Sequence, residues 1–316
     1  MFGEAIGSKP IAPVAGRLMT GRERVEGARI DLNQPLARPP IISGTGNQPL
    51  VLNGIPVAAG NAQWQVQIRW ASLRFDPAPM TAWQKKHLCG GALISARWIA
   101  TAAHCVFIKD DAGQIVPIAP DRLRIRAGLV TIDNDTVPDR TISQIKVHPD
   151  YDPSDRVPSV PRLHDIALIE LNEDLPVSSA IEAIPLAGDF GDDVLPAGAS
   201  AQVTGWGRTA IDDERPPAKL QRGDLHIVSL ADCSTQNGVP VESSMLCAVG
   251  IDSSGDPVTV CNGDSGGPLV ARSLAAHRRR ELLGLASWTS ACDERPAVFT
   301  DIRAHRQWIR ETAGLP

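Results

Sequence analysis

The segment Cys261-Asn262-Gly263-Asp264-Ser265-Gly266-Gly267-Pro268-Leu269-Val270 sets one serine in a glycine-rich turn, directly after an aspartate. A serine hydroxyl is a weak nucleophile. It attacks a carbonyl only when a neighbouring base takes its proton and donors stabilise the developing oxyanion. Glycines on both sides of Ser265 free the backbone to aim N–H groups at that position. Taken alone, the turn also reads as an ordinary Gly/Ser loop, so the chain must supply a base and an acid to orient it. Thr101-Ala102-Ala103-His104-Cys105 offers the base. Asp165 offers the acid, at the head of the apolar run in His164-Asp165-Ile166-Ala167-Leu168-Ile169-Glu170-Leu171. Serine, imidazole and carboxylate together point to acyl transfer through a covalent intermediate.

Residues so distant in the chain meet only if rigid elements hold them. Strand signals recur at Gln65–Trp70, Leu123–Ala127, Ala167–Leu171, Ala201–Thr204, Leu225–Val228, Pro268–Ala271 and Leu282–Ser287. Turns rich in Gly, Pro and Asp separate them, which predicts a mostly antiparallel β protein. Two helices are expected, near Ala231–Gln236 and over Ile302–Thr312, where Ile302, Ile309 and Trp308 form an apolar face. The chain is 43% hydrophobic and 21% charged, with a net charge of −5, a globular composition whose acidity argues against nucleic acid as a partner. No stretch reaches the roughly 18 apolar residues of a membrane span. The basic run His277-Arg278-Arg279-Arg280 falls between two strand signals and reads as a solvated hairpin tip.

In chain order the three reactive residues are His104, Asp165 and Ser265, and here the chain resembles the chymotrypsin-like (trypsin-family) serine proteases. Further motifs carry the resemblance from about Val51 to Trp308: Val51-Leu52-Asn53-Gly54, Trp64-Gln65-Val66-Gln67-Ile68, Cys89-Gly90-Gly91-Ala92-Leu93-Ile94, Thr204-Gly205-Trp206-Gly207 and Ser287-Trp288. It implies an all-β fold of two antiparallel six-stranded β-barrels with a C-terminal helix, the first barrel supplying His104 and Asp165 and the second Ser265. It implies disulfides Cys89–Cys105, Cys233–Cys247 and Cys261–Cys292, and an oxyanion hole from the N–H groups of Gly263 and Ser265. Activation is expected to free the Val51 amine, which then pairs with Asp264. Residue 50 is leucine, so the activating protease is not expected to be trypsin-like; self-cleavage at Leu50–Val51 is the alternative. Residues 1–50 are expected to be a pro-segment or linker, with the protease domain over 51–316. Thr259 stands where trypsins carry an aspartate, and Val260, Ser287, Trp288, Thr289 and Ala297 complete the expected substrate pocket. Without a carboxylate there, an elastase-like preference for small or medium aliphatic residues is expected.

No metal site or cofactor is expected: CxxC spacing is lacking and no calcium-binding cluster stands out. His148 reads as a structural turn residue and His164 as a loop residue. His87, His226, His277 and His305 have no chemical companions in the sequence. The expected partners are protein or peptide substrates and an activating protease or the chain itself, with the protein a monomer. Paired cysteines place it in an oxidising compartment, secreted or periplasmic, although Met1–Pro10 lacks the apolar core of a signal. Two other readings stand beside this one: a catalytically silent binding or regulatory protein on the same fold, and a cytosolic protease with one specific partner.

Overall fold

Leu123-Arg124-Ile125-Arg126-Ala127 alternates apolar and basic side chains, and Leu123 and Ile125 turn into a core where neither has accessible surface. That period of two marks a half-buried strand. In a computed structural model describing residues 51–73, 79–133, 136–154, 162–189, 195–209, 215–272, 279–290 and 292–316, it recurs through two antiparallel sheets. The expected pro-segment (1–50), part of the stretch before Asp165 (155–161) and the tip 273–278 lie outside the described residues.

The first sheet is built from β1 (Gln65–Trp70), β2 (His87–Leu93), β3 (Trp98–Thr101), β4 (Leu123–Ala127), β5 (Ile142–Val147) and β6 (Ala167–Leu171). Its order is β4-β1-β2-β3-β6-β5, and a bridge between Ile125 and Arg140 brings its two ends together. The second contains β7 (Ser200–Gly205), β8 (Gln221–Val228), β9 (Met245–Ile251), β10 (Pro268–Arg272), β11 (Arg280–Trp288) and β12 (Ala297–Asp301). Here the order β8-β7-β10-β11-β12-β9 closes fully, because β9 pairs again with β8. The result is the expected all-β architecture of two barrels.

Each barrel has its own apolar interior, around Val66, Ile125 and Ile169 in the first and Val203, Leu269 and Phe299 in the second. A third cluster forms the seam between them, joining Ala100, Ile166 and Leu168 of the first to Val270 and Leu285 of the second. The two expected helices are α1 (Leu230–Asn237) and α2 (Ile302–Ala313). Helix α2 begins where the Asp301 side chain accepts the Arg303 N–H and ends at Gly314 in the left-handed region, a standard pair of caps. It buries Ile302 and Ile309 against the seam with Trp308 packed half-buried beside them, the expected apolar face, and adds His305 as a further buried residue.

Strand β2 was legible only through the resemblance, since two adjacent glycines argue against a strand. Packing explains them. A Cβ on Gly91 would lie 2.9 Å from Ile99 Cγ2 and 3.0 Å from Val66 Cγ2. Gly91→Ala is therefore expected to lower unfolding stability by about 1–3 kcal/mol through overpacking, read from the midpoint of urea unfolding.

Candidate active site

Strand β3 ends at Thr101, whose hydroxyl donates to the Gly90 carbonyl at 2.8 Å. The chain then enters a short 3₁₀ turn, Ala103–Val106, which carries His104. The Cys89–Cys105 disulfide ties that turn to β2. Asp165 sits just ahead of β6, after His164, whose φ of 52° puts it in the left-handed region. Ser265 lies in the turn before β10, which the Cys261–Cys292 disulfide anchors. The serine's carbonyl accepts the Gly90 N–H at 2.8 Å, and the next residue, Gly266, donates to Ala286 at 2.7 Å. The third expected disulfide, Cys233–Cys247, is also present.

Asp165 has no accessible surface, and its carboxylate is fully engaged. Oδ2 lies 2.7 Å from His104 Nδ1 and accepts the Ser287 hydroxyl at 2.6 Å, while Oδ1 accepts the His104 backbone N–H at 2.9 Å. Burial pushes the Asp165 carboxyl upward. The facing His104 ring and the bonds from His104 and Ser287 overcome this and hold it below the ordinary carboxylate value. An ionised acceptor at Nδ1 fixes the proton there and leaves Nε2 as the ring's acceptor. His104 and Ser265 line one cleft of about 280 Å³.

Asp264 is equally buried but carries no cation among the described residues. Its carboxylate accepts N–H groups from Gly207 at 2.7 Å and Cys261 at 2.9 Å. A Cβ on Gly207 would run into this carboxylate, so the close approach requires glycine. Burial, only partly offset by those two bonds, raises the Asp264 carboxyl from 3.8 to about 7. Val51 is also fully buried, in the second barrel's core, and Leu52 bridges Thr259. His87, for which the sequence offered no companion, meets the same turn. Its Nε2 lies 3.0 Å from the Gly263 carbonyl and its Nδ1 3.3 Å from Gln67 Nε2. Burial lowers it to about 4, so the ring is neutral and Nε2–H donates to Gly263.

Of the expected pocket residues, Val260, Ser287, Trp288 and Thr289 line the cleft with His104 and Ser265. Thr259 and Ala297 have no accessible surface and are not among its lining residues. Arg162, which the sequence did not single out, lines it too and donates to the Ser287 carbonyl at 3.1 Å. No periodicity marks such a residue, since it stands in an irregular stretch and reaches the cleft only through the fold. Likewise His148, His164 and His305, far apart in sequence, form one cluster.

Two antiparallel barrels with a serine, an imidazole and a buried carboxylate at their junction make up the architecture of a chymotrypsin-like protease. The family model described as Trypsin matches residues 51–309. Kallikrein-7 of Homo sapiens is 31% identical over 270 residues, covering 83% of this chain and 87% of that protein. Trypsin alpha of Drosophila melanogaster is 34% identical over 234 residues, covering 72% and 78%. Trypsin of Sarcophaga bullata is 30% identical over 269 residues, covering 83% and 89%. The chain belongs to the trypsin family and is a serine endopeptidase.

A buried carboxyl raised to about 7 makes folding pH-dependent. Between its unfolded value of 3.8 and about 7, the unfolded chain has lost a proton that the folded chain keeps, so stability falls as pH rises through that window. The contribution at stake is on the order of 4 kcal/mol. Urea unfolding of the full chain is expected to show this loss between pH 4 and 7, and Asp264→Asn is expected to flatten it.

Proposed function

We propose that Ser265 is the nucleophile, His104 its general base and then general acid, and Asp165 the group that orients and charges-balances His104. The observation that carries this reading is the 2.7 Å contact between the buried Asp165 carboxylate and His104 Nδ1, in a cleft that Ser265 also lines. Ser265 Oγ attacks the scissile carbonyl while His104 Nε2 takes its proton. The N–H groups of Gly263 and Ser265 receive the oxyanion, and the same proton then passes to the leaving amine. Water, deprotonated by His104, hydrolyses the acyl-enzyme and restores the serine. Ser287 to Thr289, at the end of β11, offer their backbone to the substrate as an added strand.

Protein or peptide substrates with a small or medium aliphatic residue before the scissile bond fit the cleft best. Its lining contains no acidic side chain among the described residues, so nothing there compensates the desolvation of a lysine or arginine. The chain is made as a zymogen cut at Leu50–Val51, by another protease or by itself. Supporting this are the uncompensated Asp264 and the buried Val51, because a freed α-amine would supply the missing cation. Three disulfides support export to the outside or the periplasm. A monomer needs no further partner for this chemistry.

Ser265→Ala is expected to lower turnover by about a millionfold and to abolish labelling by a fluorophosphonate. Undiminished labelling would remove Ser265 from the role. N-terminal sequencing of the active species is expected to begin at Val51, and any other start overturns the activation site. A fluorogenic peptide library is expected to favour valine, alanine or leucine; a preference for arginine, lysine or large aromatics overturns the pocket assignment.

A further inference from the structure

The two walls of the cleft come from different barrels. The second barrel supplies the turn around Ser265 and the end of β11, whereas the first supplies only His104 and Arg162. Arg162 stands in the segment joining β5 to β6 and is the one lining side chain, among the described residues, with a permanent charge. It is partly buried, and its Nη1 donates to the Ser287 carbonyl at 3.1 Å. Among the described residues no carboxylate pairs with it.

The position of Ser287 gives that contact its meaning. The register of β11 on β12 sets Ala286 opposite Phe299 and Trp288 opposite Val298, passing over Ser287. Its carbonyl is met instead from the cleft, on the edge of β11 that the proposed mechanism offers to the substrate backbone. An extended substrate laid along that edge turns successive side chains to opposite faces. With the side chain before the scissile bond in the second-barrel pocket, beside Val260 and Thr289, the preceding side chain faces the first-barrel wall. There His104 is committed to proton transfer, and Arg162 is what remains.

A substrate N–H that takes the Ser287 carbonyl displaces the guanidinium from its acceptor. A charged donor left unpaired in a closing cleft is costly, and the substrate's own side chain decides whether it is re-paired. A carboxylate accepts two N–H groups of the guanidinium fork in charge-assisted bonds. A neutral side chain offers less, and an ammonium adds like-charge repulsion.

We propose that Arg162 is a specificity-determining residue that selects peptides with aspartate or glutamate at the second position before the scissile bond. The inference rests on the reading of Ser265 as nucleophile and of β11 as the substrate's partner strand. It extends that reading from the residue at the cut to its neighbour: the preferred sequence is an acidic residue followed by an aliphatic one.

The test compares three peptides that end in Glu-Val, Gln-Val or Lys-Val before a fluorogenic amide, with the active enzyme counted by fluorophosphonate titration. Glu-Val is expected to exceed Gln-Val by about tenfold in kcat/KM, with Lys-Val slowest. Arg162→Gln is expected to bring Glu-Val and Gln-Val to within about twofold of each other, and Arg162→Glu to turn the preference toward Lys-Val. Each readout is a ratio measured on one enzyme sample, so partial misfolding of a variant leaves it intact. Equal cleavage of the three peptides by the unmodified enzyme, or a Glu-Val preference that survives in Arg162→Gln, overturns the role of Arg162 and leaves the nucleophile in place. Hydrolysis that persists in Ser265→Ala, or none of any peptide, overturns the reading of the cleft and this inference with it.

Discussion

The Asp165 carboxylate is the point on which the two barrels agree. It has no contact with solvent, and an ionised group so placed persists only when hydrogen bonds and a counter-charge replace its lost water. Two of its donors come from His104, in the first barrel, and the third is the Ser287 hydroxyl of β11, in the second. The Asp165 backbone carbonyl is bound in turn by the Thr300 hydroxyl of β12 at 2.8 Å. The acid therefore belongs to both halves, and the imidazole it orients inherits its position from their docking.

The rest of the seam repeats that arrangement. The Ser265 carbonyl takes a hydrogen from Gly90 of β2, and Thr204 of β7 donates to Gln65 of β1 at 2.7 Å, both across the same boundary. Between these polar ties lies the apolar cluster of Ala100, Leu168, Val270 and Leu285, which excludes water and makes each bond worth more than it would be on a surface. Helix α2 closes the cluster from outside, with Ile302 and Ile309 turned inward. The cleft is thus the open end of a packed junction, and the side chains around it are held by elements that do not themselves border it.

Much of this could be read from residue types. Seven strands and both helices follow from period-two alternation, apolar runs and turn residues. The serine turn, the histidine and the aspartate stand out because their neighbours are chemically suggestive. What escaped the sequence depends on tertiary approach. Gly90 and Gly91 look like strand breakers, yet they are needed where three strands crowd together. His87 has no companion within reach along the chain, and its partner carbonyl at Gly263 arrives only when the barrels meet. Arg162 sits in an irregular stretch with no period to reveal it. His148, His164 and His305 come from a turn, a loop and a helix, and no spacing rule connects them. His305 also shows what an apolar pattern passes over, for a polar residue joins the buried face of α2 beside Ile302 and Ile309.

The division of the Asp165 donors between barrels bears on the life of the chain before it is complete. The first barrel precedes the second in sequence and can close around its own core as synthesis proceeds. At that stage Asp165 has its two bonds from His104 but lacks Ser287 and Thr300, and the wall formed by Val270 and Leu285 is missing. Water reaches the carboxylate and keeps the local dielectric high. A half-made molecule thus carries the imidazole and the acid in a wet, unshaped surface, with no serine beside them. Ser265 is the last of the three to be made, so the three side chains meet only once the second barrel has folded onto the first.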